Sequence, residues 1–203
     1  MHISEGILTG PVLLSGAALS VAGTAIGLKK IDYDQIPRVA ILSAGFFVAS
    51  LVHVPVGPAS VHLVLNGLAG LFLGWAAFPA ILVGLLLQAV LFQYGGFTSL
   101  GINCLNMALP ATICFILLRK GVRSDRVIYS SIASFLCGAG SIFLSSVMVA
   151  FSLYLTGDQF LTVAKLIVLT NLPIMFIEGF IVLFCVRFLK KVKPDILEVV
   201  YEN

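Results

Sequence analysis

Three histidines occur in the chain: His2, His53 and His62. The first lies in the opening "MHISEG", and position 2 gives an imidazole unusual neighbours. Removal of an initiator methionine normally requires a small second residue, so Met1 is expected to remain in front of His2. The peptide then offers the Met1 α-amine, the His2 backbone amide and the His2 imidazole. These nitrogens can close adjacent chelate rings on one metal ion. A second imidazole, from His62 or His53, would complete four nitrogens in a plane. Tetragonal nitrogen sites suit Ni(II) or Cu(II), and imidazole also serves cobalt and zinc. Amine and imidazole must both lose protons to bind, so affinity should weaken in acid. Taken singly, each histidine is more commonly a polar anchor at the edge of an apolar segment than a ligand.

The chain that must position these groups is strongly apolar. Its 203 residues are 60% hydrophobic and 10% charged, with a mean hydropathy of +1.11. Soluble domains hold about 45–50% apolar and about 25% charged residues. An integral membrane protein is therefore expected, folded as a single transmembrane domain over 1–203. The net charge of +3 gives no reason to expect a nucleic-acid partner. Its basic residues sit in short clusters between apolar runs, where topology signals lie. Cys104, Cys114, Cys137 and Cys185 stand singly in apolar surroundings and read as small core residues. The first run has no basic residue before it, which argues against a cleaved signal peptide.

Apolar runs fall at about 7–28, 36–55, 60–74, 79–94, 103–118, 127–156 and 161–189. The stretch 60–94 is too long for one crossing of about 20 residues. Gly74 and Pro79 bracket "WAAF" and offer a break there. With seven crossings and residue 1 outside, Lys29, Lys30, Arg38, Arg119, Lys120, Arg123, Arg126, Arg187, Lys190, Lys191 and Lys193 all fall inside. Only Lys165 of the 12 basic residues falls outside, as the positive-inside rule requires. Merging 60–94 into one crossing would put the 119–126 cluster on the wrong side. The expected fold is an all-α, seven-helix transmembrane bundle with an extracytoplasmic N-terminus and a cytoplasmic C-terminus.

In that topology all three histidines lie on the outer side, which strengthens the ligand reading. Between His53 and His62 runs "VPVGPASV", whose prolines and glycine preclude a continuous helix. Non-helical backbone at membrane depth survives only where protein buries it or a cavity adjoins it. Gln88, Asn103 and Asn106 are polar groups in apolar helices and must find hydrogen bonds. They serve either as glue between helices or as an outer shell that orients the imidazoles. His53, Ser60 and Asn66, in or just after the loop, join that second group. Glu178 lies inside the last run, where a carboxylate is costly and needs a partner or a proton. Gly95, Gly96 and Gly101 mark 93–102 as a tight outer loop able to pack against the N-terminus. Small residues at Ala18–Ala22, Gly23–Gly27 and Gly67–Gly70–Gly74 allow close helix approach, within the bundle or at a docking face. The 195–203 tail is short and acidic.

These segments together resemble the CbiM/NikM family, the substrate-capture components of energy-coupling-factor transporters for cobalt and nickel. "MHISEG" resembles the family's MHI-x-(D/E)-G start. "GPASVHLVLNG" resembles its Gly/Ser-rich loop ending in a ligand histidine. "LLLQAVLFQYGGFTSLGINCLNMALPA" and "NLPIMFIEGF" resemble its central and C-terminal signatures. The resemblance covers nearly the whole chain. It implies an N-terminus inserted into the bundle from outside, and a metal held by the Met1 amine, the His2 amide and imidazole, and His62. Asn171 departs from a frequent family histidine and is not counted as a ligand, whereas Glu178 matches the family's glutamate. His53 has no counterpart that can be placed. The resemblance also implies partners: a transmembrane coupling subunit, two ATP-binding subunits and a small accessory membrane protein, all at the cytoplasmic (inner) membrane.

Two other classes compete. A membrane enzyme is disfavoured, because HExxH and GxSxG are absent, and Ser60 and His62 do not share a helix face. A carrier for another small substrate, with structural histidines, would tolerate residues added before Met1. The chain has no G-x-x-x-x-G-K-[ST] loop, so ATP hydrolysis by that route falls to partners. Affinity order favours nickel over cobalt. Overall similarity, chiefly through "HVPVGPASVHLVLNG", favours Co(II) uptake for cobalamin synthesis, with Ni(II) uptake as the alternative.

Overall fold

The computed structural model describes residues 2–56 and 59–194, with side chains for 2–52 and 62–194. Met1, residues 57–58 and the 195–203 tail lie outside the described residues. Each expected apolar run contains a helix. The helices are α1 (Gly10–Lys29), α2 (Ile36–Ala49), α3 (Asn66–Leu73), α4 (Ala77–Phe92), α5 (Leu100–Arg123), α6 (Val127–Tyr154), α7 (Leu161–Thr170) and α8 (Leu172–Val192). By length and composition, five helical stretches could cross a membrane: 10–29, 66–92, 100–123, 127–154 and 158–192.

The bounds depart from expectation in four places, each for a local reason. α2 stops at Ala49, and His53 lies on a strand rather than at a helix end. β1 (His53–Val56) and β2 (Ala59–His62) form an antiparallel hairpin, with His53 in register with His62. The fold is therefore helical with one small two-stranded sheet, since Pro55 and the β-branched valines suit extended backbone. α3 starts only at Asn66, after Leu65 takes a left-handed conformation (φ 54°). The last run is broken at Asn171, because Pro173 cannot donate to residue 169 and its ring crowds that carbonyl. Gly101 lies within α5, not in a loop, and a side chain there would strike Ala17 of α1.

The turn at Gly74 decides the path of the chain. A straight helix over 66–92 would be about 40 Å long. Yet the His62 ring lies 5.0 Å from His2, and the Tyr94 ring lies 6.3 Å from the same histidine. The chain therefore reverses between α3 and α4. Gly74 makes the reversal with φ 55° and ψ −122°, a conformation only glycine adopts readily. α3 runs beside α5 in the same direction, with Asn66 bonded to the Met107 carbonyl and Gly70 against Ala111.

α6 is the helix against which α3, α5, α7 and α8 pack. Its sequence "SSIASFLCGAGSIFLSS" is rich in small residues that let neighbours close in. The hydroxyls of Ser134, Ser141 and Ser146 bond carbonyls one turn back and so stay satisfied in apolar surroundings. A Cβ on Gly138 would lie 2.5 Å from the Glu178 carbonyl oxygen of α8. Gly138→Val should force these backbones apart and cost about 1–3 kcal/mol or more. Gly45→Ala, where no atom lies within 4 Å of the new methyl, should be neutral or stabilise by up to about 1 kcal/mol. Thermal unfolding of both variants in detergent checks the contrast.

Candidate metal centre

The hexapeptide before α1 is held by side chains from other elements. Asn103 of α5 accepts the Ile3 N–H on Oδ1 and donates Nδ2–H to the Ile3 carbonyl, both at 3.0 Å. One amide side chain thus pairs both backbone groups of one residue, as a neighbouring strand would. Asn103 is itself 2% exposed, and Ile3 is 4% exposed. Two residues on, Glu5 accepts the Thr98 N–H at 3.0 Å. Gly96 makes room, since a Cβ there would collide with the Glu5 side chain. The segment then turns at Gly6 (φ 76°) into α1.

This clamp sets His2 beside His62. Their rings are nearly parallel, 10° apart, with centroids 5.0 Å apart. The two rings stack, so the N-terminal imidazole and the hairpin imidazole lie together at one place. On its other side His2 stacks on Tyr94, which stacks on Phe92, which meets Phe47 of α2. Tyr94 follows α4 in a helix stop of the αL type, in which the Gln93 N–H donates to the Ala89 carbonyl. Gln93 is left-handed (φ 57°), and the Tyr94 N–H donates to the Gln88 carbonyl. Sequence reasoning missed this aromatic column, whose only signal was "LFQYGG" at the end of an apolar run.

His62 is buried on the final residue of β2. Its Nδ1 lies 3.0 Å from the Leu63 carbonyl oxygen. Glu178 of α8, fully buried, accepts the N–H of Val64 at 2.6 Å and of Leu65 at 2.7 Å on one oxygen, Oε1. The intramembrane carboxylate therefore finds its partners in the backbone just after His62.

The remaining expected residues fall elsewhere. Asn66 donates to the Met107 carbonyl and to Ser145, and Asn106 pairs with Ser152. Both join α6 to its neighbours and work as glue. Gln88 is fully buried, and neither of its side-chain polar atoms has a hydrogen-bond partner among the described residues. The side chains of His53 and Ser60 lie outside the described residues. Among the described residues no three His, Cys, Asp or Glu side chains group to hold a metal. A metal bound between His2 and His62 would therefore need ligands beyond the described side chains of these types.

Residues 2–196 match the profile of CbiM, described as a cobalt uptake substrate-specific transmembrane region. The chain belongs to the CbiM family. Among its relatives is a "Putative metal transport protein" of Haemophilus influenzae, 41% identical over 97% of each chain. A segment covering 54% of the chain is 39% identical to the fused nickel transport protein NikMN of Rhodobacter capsulatus, and spans 33% of that protein. A crystal structure of a transition metal transporter superposes with a TM-score of 0.77 at 25% identity, covering 100% of this chain and 99% of that one. Membership and the apolar helices make the chain a multi-pass membrane protein of a metal transport family.

Asn103→Ala removes both bonds to Ile3 and leaves two buried backbone groups unpaired. The loss should be about 1–3 kcal/mol, concentrated in the N-terminal segment. Hydrogen exchange should show the Ile3 amide losing protection while amides in the middle of α6 keep theirs.

Proposed function

We propose that this CbiM-family chain is the substrate-capture subunit of an energy-coupling importer of the ECF type, and that its substrate is Co(II). The ion is held by the Met1 amine, the His2 amide and imidazole, and the His62 imidazole, with Met1 as the free N-terminus. The observation that carries this reading is the His2–His62 ring pair, brought together by a clamped N-terminal segment. Main-chain nitrogens supply donors beyond the two imidazoles that the described residues place together. The family description, which names cobalt uptake, favours Co(II). Ni(II) is the second reading, supported by the relative named for nickel and by the preference of planar nitrogen sites for that ion.

The proposed topology has seven crossings, with the N-terminus outside the cytoplasmic membrane. The reversal at Gly74 supports it, because α3 and α4 then count as two passes, the first of them short. Charge supports it as well. Along α5, Asn103 at the His2 end and Arg123 are about 30 Å apart, close to the thickness of a hydrocarbon core, about 30 Å. Lys30, Arg38 and Arg119 share one cleft at the far end, and Arg123, Arg187, Lys190 and Lys191 share another. That end is the cytoplasmic one in this reading. There the coupling subunit, two ATP-binding subunits and a small accessory membrane protein complete the importer.

Adding one residue before Met1 moves the amine away from the ion. Uptake of radioactive cobalt by cells should collapse while the protein still reaches the membrane in normal amount. Normal uptake by a protein shown to retain the extra residue would refute the four-nitrogen site. His62→Ala should weaken Co(II) binding more than about 100-fold, beyond what an outer-shell group contributes. His53→Ala should weaken it less than about 10-fold, the low end for such groups. Calorimetric titration of the purified variants, with native N-termini, ranks the two histidines.

A further inference from the structure

One peptide unit links Glu178 to His62. The Leu63 carbonyl and the Val64 N–H belong to the same planar amide. Its carbonyl oxygen lies 3.0 Å from His62 Nδ1, and its N–H donates to Glu178 Oε1 at 2.6 Å. A carbonyl oxygen can only accept, so this hydrogen bond places the proton of His62 on Nδ1 and the ring lone pair on Nε2. Rotation of the 63–64 peptide would turn the carbonyl away from the ring. The Val64 bond to Glu178 resists that rotation.

A second bond fixes the same segment. The Leu65 N–H donates to the same Oε1 at 2.7 Å. Leu65 holds φ 54°, a left-handed conformation that costs a non-glycine residue of order 1 kcal/mol. Such a residue persists where its surroundings over-determine it. Glu178 supplies that constraint from α8, 113 and 114 residues away in sequence.

We infer that Glu178 is the positioning residue for His62. Through the 63–64 peptide it sets the orientation and tautomer of the imidazole that faces His2. This rests on the metal site proposed above and extends it. A carboxylate behind a histidine ligand normally bonds the ring directly. Here a peptide stands between them. The carboxylate polarises the amide through its N–H, and the amide passes that polarisation to the ring through its carbonyl. α8 needs no ligand of its own to shape the site.

The test is a double-mutant cycle on purified protein with a native N-terminus, titrated with Co(II) and with Ni(II). Glu178→Ala should lower affinity about 10–100-fold, the usual effect of losing an outer-shell partner. Glu178→Asp, one methylene too short to reach both amides, should do the same while keeping a carboxylate in the bundle. Glu178→Gln, whose carbonyl still accepts both N–H groups, should recover most of the loss. In a His62→Ala background all three substitutions should change affinity less than about 2-fold, because the group they act through is gone. The visible band of bound Ni(II) in Glu178→Asp should shift toward that of His62→Ala. The proposal is overturned if the Asp variant binds like the parent, or if its loss persists without His62. If Glu178→Ala does not fold, the Asp and Gln variants decide alone. If His62→Ala itself leaves affinity unchanged, the metal site is wrong, an outcome distinct from a flat cycle.

Discussion

A backbone that enters an apolar bundle without being helical must have partners for its N–H and C=O groups. The N-terminal hexapeptide meets that constraint through Asn103, which pairs both polar groups of Ile3. Much else follows from this one contact. The amide must be buried at the head of α5, and α5 must lie beside the entering chain. Gly101 lets α5 come against Ala17, and Gly16 lets α1 come against Ile102. Gly95 leaves space next to the Asn103 amide and the His2 Cβ. At each of these glycines a side chain would crowd a neighbour already in place: Ala17, Ile102 or Asn103.

The same logic shapes the return of the chain at Gly74. Had 66–92 continued as one helix, the loop bearing His62 and the turn bearing Tyr94 would lie at opposite ends of the molecule. The reversal brings both to His2. It also places Trp75 against Gly27 of α1, where any side chain would strike the Trp75 carbonyl. A short α3 and a full α4 form a wedge between α1, α2 and α5. The open end of the wedge faces the N-terminal segment, and its turn lines the cleft that holds Lys30, Arg38 and Arg119.

Helix positions were readable in the sequence because each apolar run has little choice but to pair its backbone internally. The hairpin at 53–62 was readable only as a break, since proline and glycine exclude helix without specifying what replaces it. The onset of α3 was misplaced because 60–65 is as apolar as the helix that follows, and composition does not encode the left-handed turn at Leu65. At the site, His2, His62, Asn103 and Glu178 were singled out as polar or ionisable groups in costly surroundings. Their partners were not, because Asn103 and Glu178 bond to backbone, and every residue carries the same backbone. Asn66 and Asn106 instead each meet a serine of α6, and Asn66 also donates to the Met107 carbonyl.

The two segments that bear the histidines are each tied by one side chain to a different helix. Asn103 ties the N-terminal segment to α5, and Glu178 ties the end of the hairpin to α8. α6 packs between these two helices and against both. Gly138 brings α6 within contact of the backbone carbonyl of Glu178 itself, so α8 cannot move toward α6 without collision. The spacing of His2 and His62 is therefore a property of three packed helices rather than of the loops that carry the rings. Both tied helices also run to the far end of the bundle, where Arg123 of α5 and Arg187, Lys190 and Lys191 of α8 line one cleft.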